Sequence, residues 1–372
     1  MERFIALLYY PLHLLIVTIF TFVLRNRYNR QCGLSSYCDA PSNQRTTAII
    51  VILCIIAYGL RPENGVFVDM TNTVYTYHNL YENTPFVFDW SVDNKLYDNL
   101  MHFFGSYNLG TTAFFTVIAA IYFGCTYLGI KKMFLSDRFA AYLVFLAAFS
   151  TYSYATNGVK AGSAAAIFIL ALAYWDNLKV SIPLVFISLG FHHSMAMPIG
   201  AFILCQLYNK PKLYFFVWCV SMLLAAAHVS YFQNLFAGFS DDIGRSYLNS
   251  EGGDDSYLTG FRPDFILYSS APVLVGYYSI FKKGIRSKAY SFLLNFYLIT
   301  NSVWMLCMYA SFTNRIAYLS WFVYPLVLIY PFLNENMGPR RYKIFYRIMW
   351  LHLAFTIFMQ GVYYGHLFRF LQ

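Results

Sequence analysis

The sequence predicts an all-α, polytopic integral membrane protein with about twelve transmembrane helices. Three observations predict it. Of the 372 residues, 59% are hydrophobic, 21% aromatic and only 12% charged, against roughly 25% charged in soluble domains. The apolar residues fall in runs, and a helix needs about 20 of them to cross the hydrocarbon core. Lys and Arg collect in alternate loops between those runs, the pattern that marks the cytoplasmic side.

The elements follow in order. Phe4–Leu24 has no small-residue cleavage site after it and ends at Arg25, Arg27 and Arg30, so it reads as a retained first helix rather than a signal peptide. Thr46–Leu60 is the second span, and Arg61–Gly110 is a long outer-face loop whose Phe86, Phe88, Trp90 and Tyr97 suit a membrane surface. Thr111–Phe134 and Phe139–Tyr154 flank Lys131, Lys132 and Arg138. Ser163–Trp175 and Ser181–Gly190 are short spans joined at Lys179. Ser194–Tyr208 and Leu213–Tyr231 flank Lys210 and Lys212, and a second long outer-face loop, Phe232–Arg262, follows. Phe265–Phe281 and Ala289–Tyr309 flank Lys282, Lys283, Arg286 and Lys288. Ile316–Phe332 and Ile344–Tyr364 flank Arg340, Arg341, Lys343 and Arg347. The chain therefore reads as one transmembrane domain over residues 1–372, with loops 61–110 and 232–262 carrying short helices on the outer face.

Acids run opposite to the bases, with Glu63, Asp69, Glu82, Asp89, Asp93, Asp98 and Asp264 all outside. An even number of spans places both termini on that same side. The net charge of +9 sits in short loop clusters, so it sets orientation and argues against a nucleic-acid partner. The cysteines number seven, and Cys54, Cys125, Cys205, Cys219 and Cys307 lie inside apolar runs as small hydrophobes. Cys32 and Cys38 share a basic loop with too few partners for a zinc or disulfide framework.

The outer face keeps few cations: Arg3, Arg61, Lys95, Lys160, Arg245, Arg262, Arg315 and Arg369. An ionisable residue costs about 2.5–3.5 kcal/mol at the centre of a span and less near its ends, so one retained at an edge marks a site unless it snorkels to headgroups. Lys160 and Arg315 fit that description best. Asn157, Gly158 and Lys160 stand at the mouth of an alanine-rich helix, and the chain crosses back to end at His192, His193 and Ser194 on the same face. Gly158, Gly162 and Ala166 form a small-residue face for close helix packing, and a closely packed helix start offers free N–H groups to a phosphate. Adjacent histidines on a helix point about 100° apart, and no third ligand follows, so a metal site is not expected. One histidine acting as a base or hydrogen-bond donor, and a purely structural histidine, are the two readings left. Asp241-Asp242 and Asp254-Asp255 read as turns and caps on the outer face. The absence of a P-loop, a GxSxG elbow and a CxxC pair excludes ATPase and soluble-type hydrolase chemistry. The many outer aromatics serve as interfacial belts, and some suit stacking on sugar rings.

Several stretches together resemble the EpsG group of Wzy-type polysaccharide polymerases. They are RPENGVFVDMTNTVYTY, with Arg61, Asp69 and Tyr75; TNGVKAGSAAA, similar to an Asn-x-x-Arg-Gln helix start; FHHSM, similar to Phe-His-x-Ser; and TNRIAYLSWF, similar to Arg-Ile-Ala-Tyr. Lys160 and Ala161 stand where arginine and glutamine are usual, and lysine lacks the bidentate fork of arginine. The resemblance implies a glycosyltransferase of the bacterial inner membrane that polymerises undecaprenyl-diphosphate-linked repeat units at the periplasmic face. The product would be O-antigen of lipopolysaccharide, capsule or exopolysaccharide, with a chain-length regulator as partner and no metal or nucleotide cofactor. It also implies site residues: Arg315, then Arg61 and Lys160, on diphosphate; His192 or Asp69 on the acceptor hydroxyl; and Asn157, His193, Arg245 and Tyr318 on substrate. An O-antigen ligase and a flippase or other transporter of the lipid-linked sugar are the alternatives. A ligase histidine is expected in a large outer loop, where this chain has only His78 and His102, and a flippase should carry cations deep in its spans.

Alkaline phosphatase fusions test the alternation of loops. Fusions within residues 232–262 and at the carboxyl end should be active, and those after Lys132 or Lys283 inactive; active fusions at Lys132 would invert the topology.

Overall fold

Residue Glu2 opens α1 (Glu2–Cys32), whose buried stripe of Ala6, Tyr10, Leu14, Val17, Thr21 and Leu24 recurs every three or four residues. Its opposite face, with Leu12, Leu15, Ile16, Ile19 and Phe22, is exposed yet equally apolar. That is the pattern of a helix with lipid rather than water on its outer side. The computed structural model describes residues 2–32, 44–134, 137–229, 231–237, 260–310 and 313–365, which form helices joined by turns and loops, with no strand among them. Among the described residues three helices are long and apolar enough to cross a membrane, Glu2–Asn26, Thr111–Met133 and Thr313–Asn334, and five further apolar helices are shorter. The chain divides into two compact units, Met1–Phe191 with Phe332–Gln372, and His192–Pro331.

The first unit contains α1, α2 (Gln44–Gly59), α3 (Val68–Thr76) with a π-helical turn at Tyr77–Tyr81, α4 (Lys95–Ser106) and α5 (Thr111–Met133). It continues with α6 (Arg138–Leu146), α7 (Thr151–Thr156), α8 (Val159–Ala173) and α9 (Leu178–Phe191). The alanine-rich α8 is buried on nearly all sides, packed between α5 and α9. Small residues permit this closeness. A Cβ on Gly129 of α5 would lie 2.8 Å from Ile169 of α8, and one on Gly162 would lie 2.7 Å from the Tyr154 carbonyl oxygen.

The fourth expected span, Phe139–Tyr154, is not continuous. It breaks at residues 147–150 between α6 and α7, leaving carbonyls that hydrocarbon cannot satisfy. Side chains from elsewhere meet them. His13 of α1 bonds Leu146 O at 2.9 Å through Nε2 and Tyr58 OH at 2.8 Å through Nδ1. His352 bonds Val144 O at 3.2 Å, Gln360 donates to Phe149 O at 3.4 Å, Thr151 donates to Phe145 O at 2.5 Å, and Tyr122 donates to Thr151 O at 3.2 Å.

The second unit is built of α10 (Ala196–Leu207), α11 (Pro211–Ala226), α12 (Tyr231–Ala237), α13 (Pro263–Tyr277) with a π-helical turn at Tyr278–Lys282, α14 (Lys288–Leu306) and α15 (Thr313–Trp321). The last crossing continues into α16 (Tyr324–Asn334), and α17 (Arg341–Thr356) returns to the first unit, ending in a π-helical segment Ile357–Tyr363. Buried polar groups tie the second unit together around α14. Asn301 donates to Ser269 at 3.2 Å and Ser320 at 3.1 Å, and accepts from Trp218 at 2.9 Å, while Trp321 donates to Ser269 at 2.8 Å.

Each of the twelve apolar runs coincides with helix, while three helices among the described residues meet the length and hydropathy of a membrane crossing; two runs differ besides the fourth. Leu213–Tyr231 ends early, at Ala226, because His228 turns to a positive φ of 55° and stacks on Tyr309 at 3.8 Å. Ile316–Phe332 starts at Thr313, whose hydroxyl accepts the Trp304 indole N–H at 3.0 Å, and is interrupted at residues 322–323. The first long loop is itself folded. Tyr77 OH donates to Phe104 O at 2.9 Å and accepts from Gly110 N at 3.0 Å, so the carboxyl ends of its two helices are tied to each other and to the start of α5.

Replacing His13 with Leu should orphan the Leu146 carbonyl and lower unfolding stability by about 1–3 kcal/mol. Ile16→Leu on the exposed face of the same helix should change thermal stability in detergent little, and equal effects would refute the bridging role.

Candidate functional site

In the first unit the expected residues gather where α2 and α7 end and α8 begins. Arg61 follows α2 and is 4% exposed. Its Nη1 donates to Tyr58 O at 2.5 Å and its Nη2 to Thr156 O at 3.4 Å, so one cation caps the carboxyl ends of two helices. The guanidinium also lies 4.7 Å from the Phe115 ring centre and 5.7 Å from that of Phe67. Among the described residues no carboxylate pairs with it, and its Nε is buried without a partner. Burial pushes its pKa down to about 10, so it remains a cation at neutral pH. A buried charge held only by carbonyls and ring faces is costly to keep.

Lys160 occupies the first turn of α8 with its side chain one-third exposed. Its Nζ meets Asp98 Oδ1 of α4 at 3.1 Å and lies 5.0 Å from the Tyr97 ring centre. Tyr97 is the hub of the group. Burial raises its phenol pKa; the nearby Thr73 hydroxyl and Arg61 oppose the rise, and Asp98 and Asp69 add to it, so the phenol stays a neutral donor. Asp69, in the first turn of α3, is half-buried. Asn157 ends α7 beside the Thr156 carbonyl that Arg61 holds, and its Oδ1 is shielded from solvent with no donor. Gly158 and Gly162 both pack on Tyr154, which seats α7 on the start of α8.

In the second unit the hydrogen bonds orient the helices. Asn209, just after α10, donates to Lys288 O at 3.1 Å and accepts from Asn295 at 2.8 Å, so α10 runs antiparallel to α14. Helix α15 also turns back from α14, so α10 and α15 are parallel and their amino ends share one end of this unit. His192, His193 and Arg315 therefore lie at that end, while Lys210, Lys282, Lys283 and Lys288 lie at the other. His192 is half-buried, and its Nδ1 accepts the Ser194 N–H at 3.1 Å and meets the Ser194 hydroxyl at 2.6 Å. An acceptor Nδ1 places the neutral ring's proton on Nε2. Arg315 is exposed, and Tyr318, one turn on, is buried against Trp321 at 5.6 Å. Arg245 lies outside the described residues.

The profile of the EpsG family matches residues 45–372. The chain belongs to the EpsG family. No curated protein and no solved structure matches it. Every candidate residue falls inside the EpsG match, whereas α1, which supplies His13 to the broken helix, falls before it. Membership and the apolar helices together mark a membrane protein of polysaccharide-polymerase type.

Tyr97 and Asp98 escaped the sequence reading as site members. Their signal was the Lys-Leu-Tyr-Asp start of α4, an amphipathic helix whose buried side carries Tyr97, Met101 and Phe104.

Because Asn157 loses no hydrogen bond on truncation, Asn157→Ala should leave thermal stability within about 0.5 kcal/mol of wild type. A fall of several degrees in Tm would make the residue a structural element of the turn.

Proposed function

We propose that this EpsG-family chain is a glycosyltransferase that joins oligosaccharide repeat units, carried on undecaprenyl diphosphate, into O-antigen, capsule or exopolysaccharide at the periplasmic face of the bacterial inner membrane. The observation that carries the reading is the buried, carboxylate-free Arg61 beside Lys160 and Asn157 at the start of a helix. A structural arginine is normally neutralised, as Arg262 is by Asp264 at 2.9 and 2.5 Å in this same chain. An uncompensated cation next to free helix N–H groups favours a diphosphate.

In the reaction the nonreducing hydroxyl of one unit attacks the anomeric carbon of the chain being transferred. The bond from that carbon to the diphosphate oxygen breaks, and the lipid diphosphate departs with the electron pair. It is already a good leaving group, so the protein's task is to neutralise the charge that develops. We assign that task to Arg315 and Lys160, which reach solvent, with Arg61 contributing its field from inside. Asn157 and Tyr318 contact substrate, with His193 and Arg245 as further contacts. The Nε2–H of His192 suits a donor that orients a hydroxyl, which leaves Asp69 as the base that takes its proton. In the second unit Lys210, Lys282, Lys283 and Lys288 lie at the end away from His192 and Arg315, which supports a working face away from the basic loops. A chain-length regulator is the partner expected for such a polymerase, and no cofactor is needed.

Mass analysis of lipid-linked glycans in cells lacking the gene tests this. Single repeat units should accumulate outside the cytoplasm, wild type should restore a ladder, and Arg315→Ala should reduce polymer about 100-fold or more. Full-length polymer held on its lipid would instead indicate a ligase, and single units confined to the cytoplasmic face a flippase.

A further inference from the structure

The folded loop between α2 and α5 contains a cavity of about 420 Å³ that the reaction scheme above does not use. Small-ligand pockets span roughly 300–1,000 Å³. Its wall includes Tyr81, Phe88, Asp89, Trp90, Asp98 and His102, a mixture of ring faces and hydrogen-bond acceptors. Phe88 and Trp90 lie 4.6 Å apart at 52°, and Trp90 is 73% exposed, an unusual cost for the largest apolar side chain unless something covers it. Tyr81 stacks on His102 at 4.9 Å and 25°.

Several polar atoms of this wall are acceptors, beside the donors of Trp90, Tyr81 and Asn99. Asp89 Oδ1 takes the Ser91 N–H at 2.7 Å and the Ser91 hydroxyl at 2.6 Å, bonds that hold the carboxyl below its usual pKa, while its Oδ2 has no protein partner. Asp98 Oδ1 pairs with Lys160 and its Oδ2 is likewise open. The Thr84 hydroxyl donates to Tyr81 O at 2.7 Å, so the 3.3 Å contact with His102 is a donation from Nε2, which leaves Nδ1 an acceptor. The loop is not pliable. Asn99 accepts from Asp89 N at 2.7 Å and donates to the carbonyls of Asp89 at 2.8 Å and Lys95 at 2.7 Å, fixing residues 89–99 as one clamp.

We propose that this cavity is a saccharide subsite that binds uncharged sugar rings of the repeat unit, with Trp90 and Phe88 against the ring faces and Asp89, Asp98 and His102 accepting from sugar hydroxyls. The assignment rests on the polymerase reading and adds to it a division of labour. Asp89, which has no cation within ion-pair distance among the described residues, disfavours a phosphate at this end of the cavity and leaves it to uncharged sugar. Asp98 belongs to both places, bonded to Lys160 and part of the cavity wall, and so couples sugar position to the cation. Lipid is the other possible cover for an exposed Trp90. The ionised Asp89 between Phe88 and Trp90, with Asp93 and Glu82 nearby in the chain, opposes burial of this segment among anionic headgroups.

The test uses full-length protein in nanodiscs and, as probe, oligosaccharides released by partial acid hydrolysis of the polysaccharide that the same cells export, free of lipid and diphosphate. Isothermal titration should give a measurable Kd for wild type and for Arg315→Ala within about twofold of it. Trp90→Ala and Asp89→Asn should each weaken binding about tenfold, and Trp90→Tyr should recover most of the loss. The three variants alter exposed side chains, so folding is retained and is checked by thermal unfolding. If wild type restores the ladder in cells but Trp90→Ala and Asp89→Asn bind the probe and polymerise as wild type does, the cavity assignment is wrong and the polymerase reading stands. If wild type restores no ladder and binds no probe, both fall. Quenching of Trp90 by brominated lipid, measured against Trp90→Phe, would identify a membrane-docked loop and overturn the proposal.

Discussion

A backbone carbonyl in a region without water must find its donor within the protein, and that requirement organises the first unit. The break between α6 and α7 leaves carbonyls in succession, and His13, His352 and Gln360 come from elements far away in sequence to meet them. The same rule builds the candidate site. Arg61 is kept inside because the ends of α2 and α7 present carbonyls at Tyr58 and Thr156 that need a donor. Fold and site are thus two answers to one problem, the ends of helices that stop inside the molecule. Tyr58 takes part in both, through its hydroxyl on His13 and its carbonyl on Arg61.

The two buried arginines show how context separates similar residues. Arg262 has a bidentate carboxylate from Asp264 and the Phe265 ring at 3.7 Å, a closed and neutral arrangement. Arg61 has carbonyl dipoles and aromatic faces, which stabilise a cation without cancelling its charge. Its field therefore extends to Tyr97 and, through that ring, to the Lys160–Asp98 pair.

Helix positions were legible because apolar runs end at charges, and in a bilayer those two features fix a span. The breaks were not. Residues Ala147 to Ser150 contain neither Gly nor Pro, so no local rule interrupts the helix there; besides Thr151 and Tyr122, the donors that stabilise the interruption, His13, His352 and Gln360, are more than a hundred positions away in chain order. The π-helical turns at Tyr77–Tyr81 and Tyr278–Lys282 are equally silent in composition. Among site residues, Lys160, Arg61 and Asn157 stood out because charge or amide at the edge of a span is conspicuous. Tyr97 and Asp98 did not, since an aromatic residue beside an acid in an extramembrane loop looks like ordinary surface until α4 folds and buries the ring.

The caps on the broken helix arrive at different times as the chain is made. His13 and Tyr58 are already made when Leu146 is synthesised, so the donor for that carbonyl precedes it in the chain. His352 and Gln360 emerge some two hundred residues later, and until then Val144 and Phe149 lack these donors. The break is therefore the last part of this unit to mature. A chain that ends before α17 keeps the break but lacks two of the side chains that close it.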